Sequence, residues 1–128
     1  MGQQQLLLII LGVIIVGLAI AVGLSLFSAN SIQANKDAQI NDLNNLAANA
    51  YQYKIRPQTM GGGAGSYVGY TVPSKLSSNS NATYVASGAT ATAITLKGTN
   101  PAFANQWVQA IMNVNGVLGT FTYGTDFQ

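Results

Sequence analysis

The amino-acid sequence predicts an α+β protein in which one long N-terminal α-helix packs on a small C-terminal antiparallel β-sheet. Three observations predict this fold. An uncharged apolar run opens the chain, apolar residues at helical spacing follow it, and short alternating segments between turn signals fill the second half. We therefore divide the 128 residues into an apolar half-helix (1–27), an amphipathic half-helix (28–56) and a glycine-rich loop with a β domain (57–128).

The chain contains few groups that can do chemistry. Charged residues make up 6% of the sequence, against about 25% in ordinary soluble proteins, and the net charge is +2. Cysteine, histidine and glutamate are absent, and Asp37, Asp42 and Asp126 are too far apart in sequence to form a metal loop. We predict no enzyme, no cofactor and no metal site. The basic residues are scattered, so no nucleic-acid partner is predicted either.

Residues 6–27 read LLLIILGVIIVGLAIAVGLSLF, without one charge. As a helix this run is roughly 31–33 Å long, which matches the hydrocarbon core of a bilayer. A cleaved secretory signal would have a basic start and a shorter apolar core of about 7–15 residues, so we expect the run to be retained. Burial of each large side chain contributes about 1.5–3 kcal/mol, and lipid or many copies of the chain must provide that burial.

Three glycines, Gly12, Gly17 and Gly23, interrupt the run. One interpretation is that they let neighbouring helices approach closely in an assembly. The other is ordinary glycine usage, because glycine is frequent in membrane helices. The sequence leaves both interpretations open.

Apolar residues continue at steps of three and four after the run, which indicates an amphipathic helix. One helix should extend from near Gln3 to about Ile55 and end at Arg56-Pro57, because a residue before proline disfavours helix. The predicted apolar stripe consists of Ile32, Ile40, Leu43, Leu46, Ala47 and Ala50. The charged residues of the predicted wetter face are Lys36, Asp37 and Asp42.

This layout resembles the type IV pilin superfamily. The resemblance rests on a short polar start, a charge-free apolar half-helix, an amphipathic second half and a small glycine-rich β domain. It implies a structural subunit of an extracellular fimbria, held in the membrane as a precursor and transferred by pilus assembly machinery into a filament of many copies. The half-helices would bundle in the filament core, with the sheet outside. The residues that we expect to pack in that core are Leu7, Ile10, Leu11, Ile14, Ile15, Leu18 and Val22.

The first residues depart from the family pattern at one position. Pilins commonly carry Glu as their fifth residue, where it offsets the charged N-terminus of a neighbour, and this chain has Gln5. Gln can donate and accept hydrogen bonds but cannot neutralise an ammonium group. We expect Gln3, Gln4 and Gln5 to replace the ion pair by hydrogen bonds. Met1 is compatible with the apolar first residue of some pilins, or it is the initiator and export follows another route.

A different class of protein fits the same features. In that alternative the chain is a single-pass membrane-anchored protein whose small extracytoplasmic β domain binds a ligand or partner without polymerising. A component of a secretion or adhesion machine would fall between the two. Filaments containing this chain in sheared cell-surface material would distinguish them.

Residues 57–66, PQTMGGGAGS, predict a linker or a tight turn after the helix. A phosphate-binding loop is disfavoured because no Lys and Ser/Thr pair follows. Beyond the loop, strands are predicted over 67–72, 83–86, 90–96, 107–114 and 117–123. The dipeptide Asn115-Gly116 between the last two is a strong hairpin signal. We therefore expect an antiparallel sheet of four strands, give or take one, with its apolar face on residues 40–54 of the helix.

Two further predictions concern the β domain. Its many aromatic residues should pack in the core or at subunit interfaces rather than form a binding array. Asn81-Ala82-Thr83 matches the N-glycosylation pattern in a predicted loop, which makes Asn81 a possible acceptor.

Overall fold

A computed structural model describes residues 2–128 and confirms the α+β fold. Helix α1 spans Gly2–Ile55, as predicted, and four strands follow it: β1 (Thr83–Ser87), β2 (Ile94–Thr99), β3 (Trp107–Met112) and β4 (Thr122–Tyr123). They form one sheet in the order β1-β2-β3-β4, with each neighbouring pair antiparallel. The short 3-10 helices Gln58–Met60 and Thr125–Phe127 follow α1 and β4. The predicted number of strands is therefore correct.

The chain divides into two compact units, Met1–Gln33 and Ala34–Gln128. The boundary lies within the predicted amphipathic half-helix. In the first unit every described side chain is exposed except the half-buried Ile32. A helix of this kind has no core of its own, whereas the second unit contains one.

The core of the second unit lies between α1 and one face of the sheet. Burial alternates strictly along β2, where Ile94 and Leu96 are inaccessible to solvent, which is the pattern of a sheet with one covered face. Gln39 Nε2 of α1 donates to the Gln106 carbonyl just before β3 (3.3 Å). The other buried apolar residues are Leu43, Leu46, Ala47, Ala50, Tyr67, Tyr70, Ala82, Tyr84, Val108, Ala110, Met112 and Phe127.

The predicted helix stripe is correct in its centre and wrong at its edges. Four of its residues are buried: Leu43, Leu46, Ala47 and Ala50. Ile32 and Ile40 are only half-buried, and Gln39 is completely buried instead. Asp42, predicted on the wetter face, is half-buried and hydrogen-bonded to the β domain. The charge pattern misplaced it because its partners lie about forty residues later in the chain.

The predicted strand 67–72 is wrong. The Tyr70 N–H donates to the Tyr67 carbonyl (3.0 Å), and Gly69 has a positive φ of 86°, so the chain turns here. Both tyrosine side chains are buried although they lie three residues apart, a spacing at which a strand would place them on opposite faces. The predicted strand 90–96 begins only at Ile94, because the Thr90 hydroxyl oxygen accepts the N–H groups that follow it in a turn.

The predicted hairpin is present, with a shorter second strand. Gly116 N–H donates to the Asn113 carbonyl (3.1 Å) and Asn113 N–H to the Val117 carbonyl (3.0 Å). With Gly116 at φ +80°, this is a three-residue loop closed by a left-handed glycine. The predicted strand 117–123 reduces to one bridge at Leu118 and to β4.

The glycine-rich segment is a tight loop that caps α1. Gly63 N–H donates to the Tyr53 carbonyl (2.8 Å) and Gly65 N–H to the Lys54 carbonyl (2.6 Å), so the last carbonyls of the helix are satisfied. A Cβ at Gly62 would lie 2.2 Å from the Arg56 carbonyl oxygen. Only glycine allows the loop to fold so closely over the helix end.

Candidate functional site

The most extensive exposed apolar surface of the molecule is that of residues 6–27. Sixteen large aliphatic or aromatic side chains there are each 52–74% exposed. α1 is long and apolar enough to cross a membrane, and the most apolar window has none of its residues buried. The second unit has an apolar core and exposes only separate apolar side chains such as Met60 and Phe103, whereas the first unit exposes a continuous apolar surface that requires an external partner.

All seven residues predicted for the filament core belong to this apolar surface: Leu7, Ile10, Leu11, Ile14, Ile15, Leu18 and Val22. At about 100° per residue they fall within an arc of about 140° on one side of the helix. The opposite side carries Ile9, Val16 and Ile20, which are just as exposed. The helix is therefore apolar all round, and a partner on one side would leave half of it in water.

The polar start of the helix and its glycines are also open. Gln3, Gln4 and Gln5 are exposed in the first turns of α1, and predictions about Met1 lie outside the described residues. A Cβ at Gly12, Gly17 or Gly23 would meet no atom within 4 Å. Among residues 2–128 no side chain packs against these glycines, so they are open to contact with another molecule.

In the second unit, Asp42 joins the helix to the segment before β1. Its Oδ2 accepts hydrogen bonds from the Tyr84 hydroxyl, from Asn79 Nδ2 (2.9 Å) and from Asn81 Nδ2 (3.3 Å). Burial raises the pKa of the Asp42 carboxyl, but the three hydrogen bonds together outweigh it, so that the pKa lies below its ordinary value. Burial, and then the bond to Asp42, raise the pKa of the Tyr84 hydroxyl. With three donors already bound, this carboxylate has a structural role.

The predicted glycosylation acceptor belongs to the same cluster. Asn81 is half-buried immediately before β1, and its Nδ2 is the atom to which a glycan would be attached. That atom donates to Asp42. An attached glycan would replace one of the two hydrogens on Nδ2, so only the remaining N–H could keep the bond to Asp42.

Lys54 is a buried cation at the end of α1. Its Nζ donates to the Val114 carbonyl and lies 5.7 Å and 5.5 Å from the ring centres of Tyr51 and Tyr67. The Tyr67 hydroxyl donates to the Asn113 carbonyl (2.7 Å). Burial, and then Tyr51, raise the pKa of Tyr67. These contacts of Lys54 and Tyr67 attach the hairpin loop to the helix, so their polar atoms already have hydrogen-bond partners.

The remaining aromatic residues differ in how far they are buried. Tyr84 and Phe127 are buried in the core, as predicted for structural aromatics. Trp107 is half-buried on the other face of the sheet, with Lys97 Nζ 4.6 Å from its ring centre, and Phe103 is 56% exposed.

Among residues 2–128, no three carboxylate, histidine or cysteine side chains come together as metal ligands. A polar cleft of about 230 Å³ does form between the end of α1 and residues 61–73. Its principal side chains, which the sequence did not single out, are Asn49, Tyr53, Arg56 and Tyr70. No motif marks them, because only the capping loop brings the two segments together.

No family model, curated protein or solved structure matches this chain.

Proposed function

We propose that the chain is a structural subunit of a type IV pilus-like helical filament on the cell surface. The apolar half-helix holds the subunit in the membrane before assembly. Assembly machinery then transfers it into a bundle in which side chains of many other copies replace lipid.

One observation carries this proposal: the apolar surface surrounds the helix completely. A single partner helix covers one stripe, whereas a bilayer or a bundle of several copies covers all faces. Burial is similar in the two environments, so transfer from one to the other need not be strongly unfavourable. The low charge of the whole sequence supports a subunit that is surrounded by copies of itself.

A membrane-anchored protein with an outward-facing binding domain is the second candidate. Two observations favour it: the length of the apolar run equals that of a bilayer core at about 1.5 Å per residue, and the second unit has a polar cleft. In this case the chain would remain in the membrane without polymerising.

Sheared cell-surface material separates the candidates. We expect filaments containing the chain in negative-stain images, and a helical reconstruction should place residues 6–27 in a central bundle. If the chain occurs only in membrane fractions, as small particles after detergent extraction, the filament proposal is wrong and the anchor is correct.

A matched pair of charge substitutions tests the role of the apolar surface. Leu11→Asp introduces a carboxylate where no partner exists, and burial of an unpaired charge costs several kcal/mol, so filaments should be lost. Asn44→Asp introduces the same charge at an exposed position of α1 in the second unit and should leave filaments in place. Normal filaments from Leu11→Asp would exclude this surface from the core.

A further inference from the structure

The polar cleft at the end of α1 has the composition of a small binding site. It is lined by Asn49, Tyr53, Arg56, Gly61, Tyr70, Thr71 and Pro73 and has a volume of about 230 Å³. We propose that it binds one acidic sugar ring, a hexuronate, either free or at the end of a glycan. This activity goes beyond filament formation and does not depend on it.

Arg56 provides the charge for recognition. It is exposed at the mouth of the cleft, and only its backbone takes part in hydrogen bonds with other described residues. A guanidinium group presents its donors in a planar fork that matches a carboxylate with two parallel hydrogen bonds. The cleft therefore contains an unused carboxylate-binding group.

The surroundings of Arg56 favour a ligand with a single negative charge. Arg56 is the only cation in the cleft lining. The cleft also lies at the C-terminal end of α1, where the helix dipole is negative, whereas phosphate sites use helix N-termini. The dipole disfavours both anions, but it affects a dianionic phosphate more than a monoanionic carboxylate, whose single charge Arg56 can match.

The half-buried Tyr53 provides the accessible ring for a sugar, and Tyr70, which is buried, packs behind it. The Tyr53 and Tyr70 rings pack edge to face, with centres 5.4 Å apart. Their hydroxyls donate to the Val68 carbonyl (3.0 Å) and to Asn49 Oδ1 (2.8 Å), which holds both rings in place. Burial raises the pKa of Tyr70 to about 12, so this hydroxyl stays neutral. Rigid aromatic rings with a polar edge are suited to the mixed apolar and hydroxyl surface of a sugar.

Free hydrogen-bonding capacity remains beside these rings. Asn49 uses its Oδ1 to accept from Tyr70, and its Nδ2 donates to no other described residue. The Thr71 hydroxyl also lines the cleft. An amide donor and a hydroxyl complement the hydroxyl groups of a sugar, which both donate and accept.

The volume limits the ligand to one ring. The volume of the cleft is about 230 Å³. That space is below the range of drug-sized pockets, about 300–1,000 Å³. A single sugar therefore fits, and longer glycans would have to present their terminal residue.

The test compares glucuronate, glucose and acetate as ligands of the full chain in detergent micelles, by isothermal titration and by saturation-transfer NMR. We expect saturable binding of glucuronate with an affinity at least tenfold above that of glucose, which lacks the carboxylate, and of acetate, which lacks the ring. An oligosaccharide that ends in glucuronate should bind as well as the free sugar if the terminal ring is the natural ligand, and more weakly if only the free acid fits.

Variants locate the binding to the cleft. Arg56→Gln should weaken glucuronate binding at least tenfold, and Arg56→Lys should weaken it less, because it keeps the charge and loses the fork. Lys97→Gln removes a positive charge from β2, outside the cleft, and should bind normally. Absence of saturable glucuronate binding, equal binding of glucose or acetate, or unchanged binding by Arg56→Gln would each overturn the proposal. The comparison of ligands on the unmodified chain requires no variant to fold, and its result does not depend on whether filaments form.

Discussion

The two units of the molecule differ in how far they bury apolar side chains. Leu11 in the first unit is 53% exposed, whereas Leu43 in the second is completely buried, although both lie on α1. Local helical structure is therefore the same in both units and only the surroundings differ. One helix can therefore carry an exposed apolar surface in one unit and the packed face of a domain core in the other.

Glycines show the same contrast. Around Gly17 there is open space, whereas Gly63 is enclosed so tightly that a Cβ would lie 1.9 Å from the Ser66 carbonyl oxygen. In the second unit, the close approach of another backbone segment requires glycine at this position. In the first unit, its role depends on what surrounds the helix.

The largest effect should come from equal leucine truncations in the two units. Leu43→Ala leaves a cavity in a closed core and should lower the free energy of unfolding of the second unit by about 2–5 kcal/mol. Leu11→Ala should change it by less than about 0.5 kcal/mol. Urea unfolding of the full chain in detergent micelles, followed by near-UV circular dichroism, measures both. Equal losses would contradict the division into two units.

Alanine substitutions at glycines should give the next largest effect. Gly63→Ala forces the capping loop away from α1 and should destabilise the second unit by about 1–3 kcal/mol. Gly17→Ala meets no neighbour within the chain and should leave that unfolding unchanged. Filament yield then distinguishes the two interpretations of the first-unit glycines: a loss in Gly17→Ala indicates close helix contacts, and an unchanged yield indicates ordinary usage.

Acid should weaken the second unit through Asp42. Since its pKa is lowered in the folded chain, its contribution to stability is complete above about pH 4 and is lost as the pH falls through the lowered pKa. Asp42→Asn should destabilise the unit by about 1 kcal/mol at pH 7 and make its melting temperature less sensitive between pH 5 and 3. A variant with the acid sensitivity of the original chain would show that other groups cause it.

Tyr84 acts in the opposite direction: its raised pKa predicts loss of stability as the pH rises above about 10.

The smallest effect should come from a cation on an aromatic ring. Lys36 Nζ lies 4.1 Å from the ring centre of Tyr123, and Lys36→Gln should lower stability by about 0.5–1 kcal/mol. Lys75→Gln, in an exposed turn, removes the same charge without such a ring contact and should have no measurable effect. Identical melting temperatures for the two variants would exclude a contribution from the Lys36 contact.

Much of the fold follows from local signals in the sequence. Pro57 marks the end of α1, and Asn115-Gly116 marks the hairpin loop, because each acts on its immediate neighbours. The segment 67–72 predicts a strand because it consists of tyrosine, valine and threonine around one glycine. Tyr67 and Tyr70 are instead buried side chains of a turn, and the Asn113 carbonyl that accepts from the Tyr67 hydroxyl is distant in sequence.

The two candidate sites also differ in whether local sequence signals predict them. The apolar surface is predictable from the run itself, since an uncharged helix of this length carries apolar side chains on every face. The cleft is not, because Arg56 and Tyr70 line one cleft only where residues 61–65 fold over the helix end. Asp42 was misplaced for the same reason, since its partners Asn79, Asn81 and Tyr84 belong to another segment.

The placement of the basic residues has a consequence for proteolysis. Trypsin cleaves after Lys and Arg, yet Lys36 and Lys54 lie within α1 and Lys97 within a central strand. Arg56 is followed by Pro57, a bond that trypsin does not cut. Lys75, in contrast, is in an exposed turn between α1 and β1, the kind of site that proteases nick first. A brief digest of the native protein should therefore cut after Lys75 and separate α1 covalently from the sheet. The two pieces should stay together until a denaturant opens the core that they share.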